Sequence, residues 1–244
     1  MTMAAQALFS MRSVRLSLGG VDILRGVDLD VAPTGCHVLI GPNGAGKTSL
    51  FNVASGQYKP TTGSVHFDGQ DITRLAPHQR AQRRIARTFQ VASLFRELSV
   101  EDNLRLAVLA PAPHLGKRSA AEVQDHMASL LETSGLQAKR HMTAGQLAYG
   151  EQRQLEIALG LANQPALLLM DEPMAGLTAQ ERQVLARRLD DLSQNIAVLM
   201  VEHHLEDALA IADQITVLYL GEAIFSGTAD EVRAHPLVQK IYLG

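Results

Sequence analysis

The chain has 244 residues, 46% of them hydrophobic, and a formal net charge of −3. That is enough apolar material for a real core in one large domain, or in one domain with a sizeable insertion, and it argues against disorder. The lack of a basic bias speaks against a nucleic-acid partner, and the single cysteine, Cys36, excludes disulfides within the chain and thiolate metal cages.

No apolar run approaches the roughly 18–20 residues needed to cross a bilayer. The opening stretch lacks a basic region followed by a long apolar one, so no signal peptide is expected and a cytoplasmic location fits.

Residues 8–31 read as short strands. Val14, Leu16 and Leu18 alternate with polar residues, Gly19-Gly20 makes a turn, and Val27, Leu29 and Val31 alternate again. Cys36 is expected as a buried thiol leading into the apolar run Val38-Leu39-Ile40. That run enters Gly41-Pro42-Asn43-Gly44-Ala45-Gly46-Lys47-Thr48, followed by Ser49. The segment satisfies the phosphate-binding pattern G-x-x-x-x-G-K-[ST], after a strand-like run and before a helix-like one starting near Lys47. Glycines let successive backbone N–H groups turn inward around a polyphosphate. Lys47 suits the β- and γ-phosphates, the Thr48 hydroxyl suits Mg²⁺, and the helix N-terminus adds partial positive charge.

Leu50, Phe51 and Val53 are spaced for the buried side of that helix. The stretch 60–63 breaks the chain, and Val65-His66-Phe67 before Asp68-Gly69 predicts a strand and a tight turn. Residues 85–90 read as a short strand ending in Gln90. Helices are predicted after Ser99, with a capping-box start, over 119–134 with Val123, Met127, Leu130 and Leu131 in its stripe, and after Gly150 with Leu155, Ala158, Leu159 and Ala162. Residues 91–160 thus form a helical subdomain inserted into an α/β core made of 1–90 and 161–244.

The run 166–170 suits a strand buried on both faces, closed by Asp171-Glu172-Pro173. Thr178 and Glu181 cap a helix to about Ser193, and 196–201 is a further buried strand ended by Glu202-His203-His204. Residues 215–220 and 223–225 predict a hairpin around Gly221-Glu222. Thr228 and Glu231 cap a last helix before a tail ending in Tyr242-Leu243-Gly244. Strands alternating with helices imply a largely parallel sheet with its ligand at the strand ends.

A phosphate loop needs a carboxylate that holds a metal, and Asp171, at the end of an apolar strand, is the candidate. Glu172 would then face the γ-phosphate and polarise an attacking water. A solvated turn is the ordinary reading of an Asp-Glu pair, but the apolar strand, the pair and Pro173 stand together behind a phosphate loop.

The order GPNGAGKTS, Gln90, LAYGEQRQ, LLLMDEP and VEHH resembles the nucleotide-binding subunit of an ABC transporter, from about Leu8 onward. The resemblance implies a P-loop NTPase (RecA-like) α/β core with an antiparallel β subdomain and the inserted α-helical subdomain. It also implies hydrolysis of MgATP by a head-to-tail homodimer, or by a heterodimer with a similar subunit. Partners would be integral-membrane permease subunits on the cytoplasmic face of the membrane and, indirectly, a solute-binding protein. It assigns the signature to 147–151, where Ala148 and Gly150 would face the partner's nucleotide. Gln90 resembles the glutamine that senses the metal and the attacking water, and His203 the switch histidine. Alone, Gln90 is like any loop glutamine and His203 like any strand-end histidine.

Three positions depart from the family pattern. Ala148 replaces the usual signature serine, which predicts weaker ATP-dependent closure. Leu18 falls where an aromatic stacks on adenine, leaving apolar contact. Thr178 replaces an aspartate, and doubles as a helix N-cap. The stretch 50–95, LAYGEQRQLEIALGLA and the YLG ending are similar to branched-chain amino acid importer ATPases. Urea and short-amide importers, lipopolysaccharide-type exporters and soluble non-transport ABC ATPases remain alternatives.

Overall fold

The computed structural model describes residues 7–88 and 94–243. Two sheets are stacked on one another. The first is antiparallel and holds β1 (Phe9–Leu18), β2 (Val21–Val31), β4 (Thr62–Phe67) and β5 (Gln70–Asp71), in the order β2-β1-β4-β5. The second holds β3 (Gly35–Ile40), β6 (Ile85–Arg87), β7 (Leu167–Asp171), β8 (Ala197–Val201), β9 (Gln214–Tyr219) and β10 (Glu222–Gly227). Its order is β10-β9-β3-β8-β7-β6, and only β10 runs antiparallel to its neighbour.

The apolar runs explain the layering. Val38 and Ile40 face one way along β3 and Leu39 the other; β7 and β8 are buried along their whole length. One face packs with the first sheet and α1 (Lys47–Ala54) around Phe9, Leu39, Phe51 and Leu169. The opposite face packs with α6 (Ala179–Ser193), α7 (Leu205–Ile211), α8 (Ala229–Ala234) and α9 (Pro236–Leu243). A third core joins α3 (Val100–Leu109), α4 (Ala120–Ser134) and α5 (Tyr149–Leu161) through Leu104, Leu130 and Leu155. Helix α5 belongs to both regions, since its Ile157 packs with the sheet.

Helix starts follow local chemistry. Ser99, Ser119, Thr178 and Thr228 each accept a hydrogen bond from an amide three residues on. The short α2 (Pro77–Gln82) places Arg80, almost wholly buried, against the carbonyls of Val53 and Ala54 at 2.8 and 2.6 Å, so that a guanidinium closes the end of α1.

Several expectations are corrected. The hairpin turn is Leu220-Gly221, with Glu222 already in β10. The expected tail is helix α9, whose Val238 is buried and whose Tyr242 packs against the sheet-side core. Helices α2 and α7 were not expected.

Toward the start of β3, away from the phosphate loop, His37 is buried and shares a hydrogen bond of 2.8 Å with Thr216. Burial pushes its pKa down to about 4. The folded protein therefore binds fewer protons than the unfolded chain between the usual 6.5 and about 4. This group's full contribution is present above pH 6.5 and is lost as pH falls. A His37→Gln variant should lose less stability between pH 7 and 5 than the parent, by about 2 kcal/mol at pH 5, measured by denaturant unfolding at each pH.

Candidate functional site

Strands β3, β7 and β8 end at one level. Leu39 and Asp171 are both register partners of Val201, so Glu172 and Glu202 emerge beside Ile40, the last residue of β3, with Gly41 next. Gly41 leaves β3 where no side chain fits, because a Cβ there would come within 2.2 Å of the Leu218 carbonyl oxygen. Gly46, the N-cap of α1, has φ of 101°, a left-handed value that favours glycine, and a Cβ would press on Leu24 at 3.0 Å. The loop is braced from the β9–β10 turn: the Gly221 amide donates to the Ala45 carbonyl at 3.0 Å, and the Arg25 amide donates to Gly221 at 2.8 Å. Asn43, Gly44 and Thr48 are exposed, while Pro42 and Ser49 are half-buried.

Lys47 is buried and folds back over the loop, donating to the carbonyls of Gly41 at 2.6 Å and Pro42 at 3.1 Å. Burial pushes its pKa down, opposed by the charges of Glu172 and Asp171. The cradle and its lysine are thus shaped to receive phosphates: free amides at a helix start, a flexible cation and no side chains in the way.

Asp171 is buried, and among the described residues neither carboxylate oxygen has a hydrogen-bond partner, though Arg87 forms an ion pair with it at 3.5 Å. Burial raises its pKa, an effect that Arg87 opposes. A hard cation with oxygen ligands fits an acceptor pair left in this condition, and Thr48, at the start of α1, is exposed.

Glu172 sits at φ of 50°, an uncommon value for a non-glycine residue. Its amide donates to Val201 at 3.0 Å, and its carbonyl accepts from Ala175 at 3.1 Å and from Arg153 at 3.3 Å. The carboxylate meets His203 Nε2 at 2.6 Å. His204 is exposed beside it.

Leu18 is 40% exposed at the end of β1, an apolar surface available to a base. Ala148 is the N-cap of α5 and offers no side-chain acceptor. Beside Gly150, Glu181 occupies the space a side chain would take, with Oε1 2.5 Å from the position of a Cβ. Tyr149 lies over Gly176 and reaches the Ala175 carbonyl at 3.4 Å, linking the start of α5 to the segment after Glu172. Gln90 lies outside the described residues.

The structure thus brings Lys47, Asp171, Glu172 and His203 to one end of the sheet, and it places Ala148 and Gly150 on the helical part. Sequence reasoning missed Arg87, Arg153 and Glu202. Arg87 stacks over Phe51 and donates to Asn52 and Ser55. All three lie inside segments the sequence singles out (85–90, LAYGEQRQ and VEHH), but no periodicity or spacing marks them within those segments.

A polyphosphate cradle, a buried carboxylate and a Glu–His pair on a mixed α/β sheet with a helical insertion define an ATP-binding cassette. The family described as "ABC transporter" matches residues 24–175, and the chain belongs to it. It is 36% identical to the high-affinity branched-chain amino acid transport ATP-binding protein LivG of Escherichia coli K12, over 98% of this chain and 99% of LivG. Identity and coverage are the same for BraF of Pseudomonas aeruginosa. The lipopolysaccharide export protein LptB of Acidithiobacillus ferridurans is 34% identical over 98% of this chain and 95% of its own. Among solved structures, the ADP conformation of MJ1267, an ATP-binding cassette of an ABC transporter, superposes with a TM-score of 0.87 at 28% identity, covering 98% and 99% of the two chains.

Because any Cβ at position 41 meets backbone, Gly41→Ala should push β3 from β9 and cost about 1–3 kcal/mol of stability. ATP binding should fall with it; denaturant unfolding and calorimetric titration check both.

Proposed function

We propose that this protein is the ATPase subunit of an importer for branched-chain amino acids, and that it hydrolyses MgATP as a dimer with a second copy or a similar subunit. One observation carries the hydrolytic reading: the 2.6 Å contact of His203 with Glu172, at the sheet end that also bears Lys47 and Asp171. The nearly full-length likeness to LivG and BraF supports the solute class.

The residues divide the work. The amides of 41–49 and the Lys47 ammonium bind the β- and γ-phosphates, Lys47 leaving its two loop carbonyls to do so. Thr48 and Asp171, with Gln90 as a third, would hold Mg²⁺, which neutralises charge on the phosphate oxygens when bound. Glu172 orients a water and takes its proton, and His203 fixes the carboxylate and donates toward the γ-phosphate. Leu18 provides apolar contact to adenine.

In the dimer, the start of α5 at Ala148 and Gly150 faces the partner's γ-phosphate through backbone N–H groups. Membrane partners dock at a groove of about 460 Å³ whose lining includes Thr88, Phe95, Asn103 and Leu106. Phe95 is 60% exposed there, and the buried Asn103 holds its backbone at both ends, at 2.9 and 3.0 Å. No helix among the described residues is long and apolar enough to cross a membrane, so permease subunits supply the spans. The protein works on the cytoplasmic face of the membrane, and the solute-binding protein acts through the permease.

Reconstituted with permease subunits, the complex should release phosphate faster when leucine, isoleucine or valine and their binding protein are added; stimulation by lipopolysaccharide instead would overturn the solute assignment. Glu172→Gln should lower turnover by about 10²–10⁴-fold while ATP still drives dimerisation, read by phosphate release and size-exclusion chromatography. Ala148→Ser restores a hydroxyl at the α5 N-cap and should tighten ATP-driven dimerisation about tenfold, measured by analytical ultracentrifugation in the Glu172→Gln background.

A further inference from the structure

Glu202 is a carboxylate only 2% exposed, and the mechanism above gives it no task. A buried carboxylate is a costly thing to keep unless its partners need its charge. Its backbone is anchored first: the Glu202 amide donates to the Leu39 carbonyl at 3.0 Å, one residue short of the end of β3. Its Oε1 then accepts from the Met174 amide at 3.1 Å, across 28 positions of sequence. Burial pushes the carboxyl up to about 7, and the amides of Met174 and His203 act against that rise. The charged neighbours are Glu172 and Asp207, the latter 3.5 Å from Arg182, with His203 next in the chain.

Those two amides sit at informative places. Met174 follows Glu172 across Pro173, which has no N–H, so its amide is the first donor the chain offers after Glu172. The His203 amide belongs to the residue whose imidazole meets Glu172. One side chain therefore ties the backbone just beyond Glu172 to the residue that precedes His203 in the chain. Glu172 itself is held at a φ of 50°, a state that lasts only where surrounding contacts over-determine it.

We infer that Glu202 is a positioning residue for hydrolysis: by holding the Met174 amide on a buried carboxylate whose own backbone adjoins His203, it keeps Glu172 and His203 in contact. The inference rests on the proposal that Glu172 and His203 act on ATP. It also explains the residue type. The buried Met174 amide needs an acceptor, which a glutamine supplies with its one oxygen and an apolar residue does not.

The test uses the full chain and compares Glu202→Ala, Glu202→Gln and Glu172→Gln with the parent, by steady-state phosphate release, equilibrium ATP binding and thermal unfolding. Glu202→Ala should lower kcat at least tenfold with ATP affinity within twofold of the parent, and Glu202→Gln should recover part of the loss. Parental kcat in both Glu202 variants, with Glu172→Gln inactive, overturns the inference and leaves the reading of Glu172 intact. A fall in ATP affinity that matches the fall in kcat also overturns it, since that marks a structural role only. Parental turnover in Glu172→Gln removes the hydrolytic reading and this inference with it. If Glu202→Ala does not fold, the isosteric Glu202→Gln decides alone: lower kcat at unchanged affinity supports the inference, and parental kcat overturns it.

Discussion

Everything at this site depends on three parallel strands ending together. The register of β3, β8 and β7 sets Leu39, Val201 and Asp171 level with one another, so the first residues past each strand become neighbours. Because both faces of these strands are buried, the carboxylates and the glycine cradle fall at the strand ends. The glycine cradle, the carboxylate pair and the histidine come from three distant parts of the sequence, and the ladder converts them into one constellation. It also supports unfavourable local states: Asp171 keeps a carboxyl whose pKa burial raises, and Glu172 keeps a left-handed backbone.

Much of the fold was legible because its signals are local. The runs 166–170 and 196–201 read as strands buried on both faces, and β7 and β8 occupy them. The helix starts at Ser99, Ser119, Thr178 and Thr228 were readable because a side chain and an amide three residues apart complete the cap by themselves. The unread helices lack that mark. The N-caps of α2 and α7 are Ala76 and His204, and neither makes a side-chain cap bond. Helix α9 owes its existence to packing, with Val238 and Tyr242 against the sheet-side core, and the sequence pattern there resembled a tail.

The site divides along the same line. Lys47, Asp171 and Glu172 stand in contiguous patterns whose chemistry is visible in a few residues. His203 and Gly150 became visible only through family resemblance, since a strand-end histidine or a lone glycine says little. Contacts across the fold were invisible: Gly221 bracing Ala45, Arg153 reaching the Glu172 carbonyl, and Glu202 holding Met174. Such pairings depend on which loops the sheet order brings together, and no spacing within one segment encodes that.

Lys47 shows what this arrangement means for affinity. Its ammonium is already engaged by two main-chain oxygens of its own loop, so an arriving phosphate is a competitor and not a first partner. Any measured dissociation constant is then the balance of an exchange, gross attraction less two internal bonds given up. A singly charged visitor gains little from such a trade, whereas a polyanion that also engages the surrounding amides comes out ahead. Discrimination among anions is in this way written into the resting posture of one side chain.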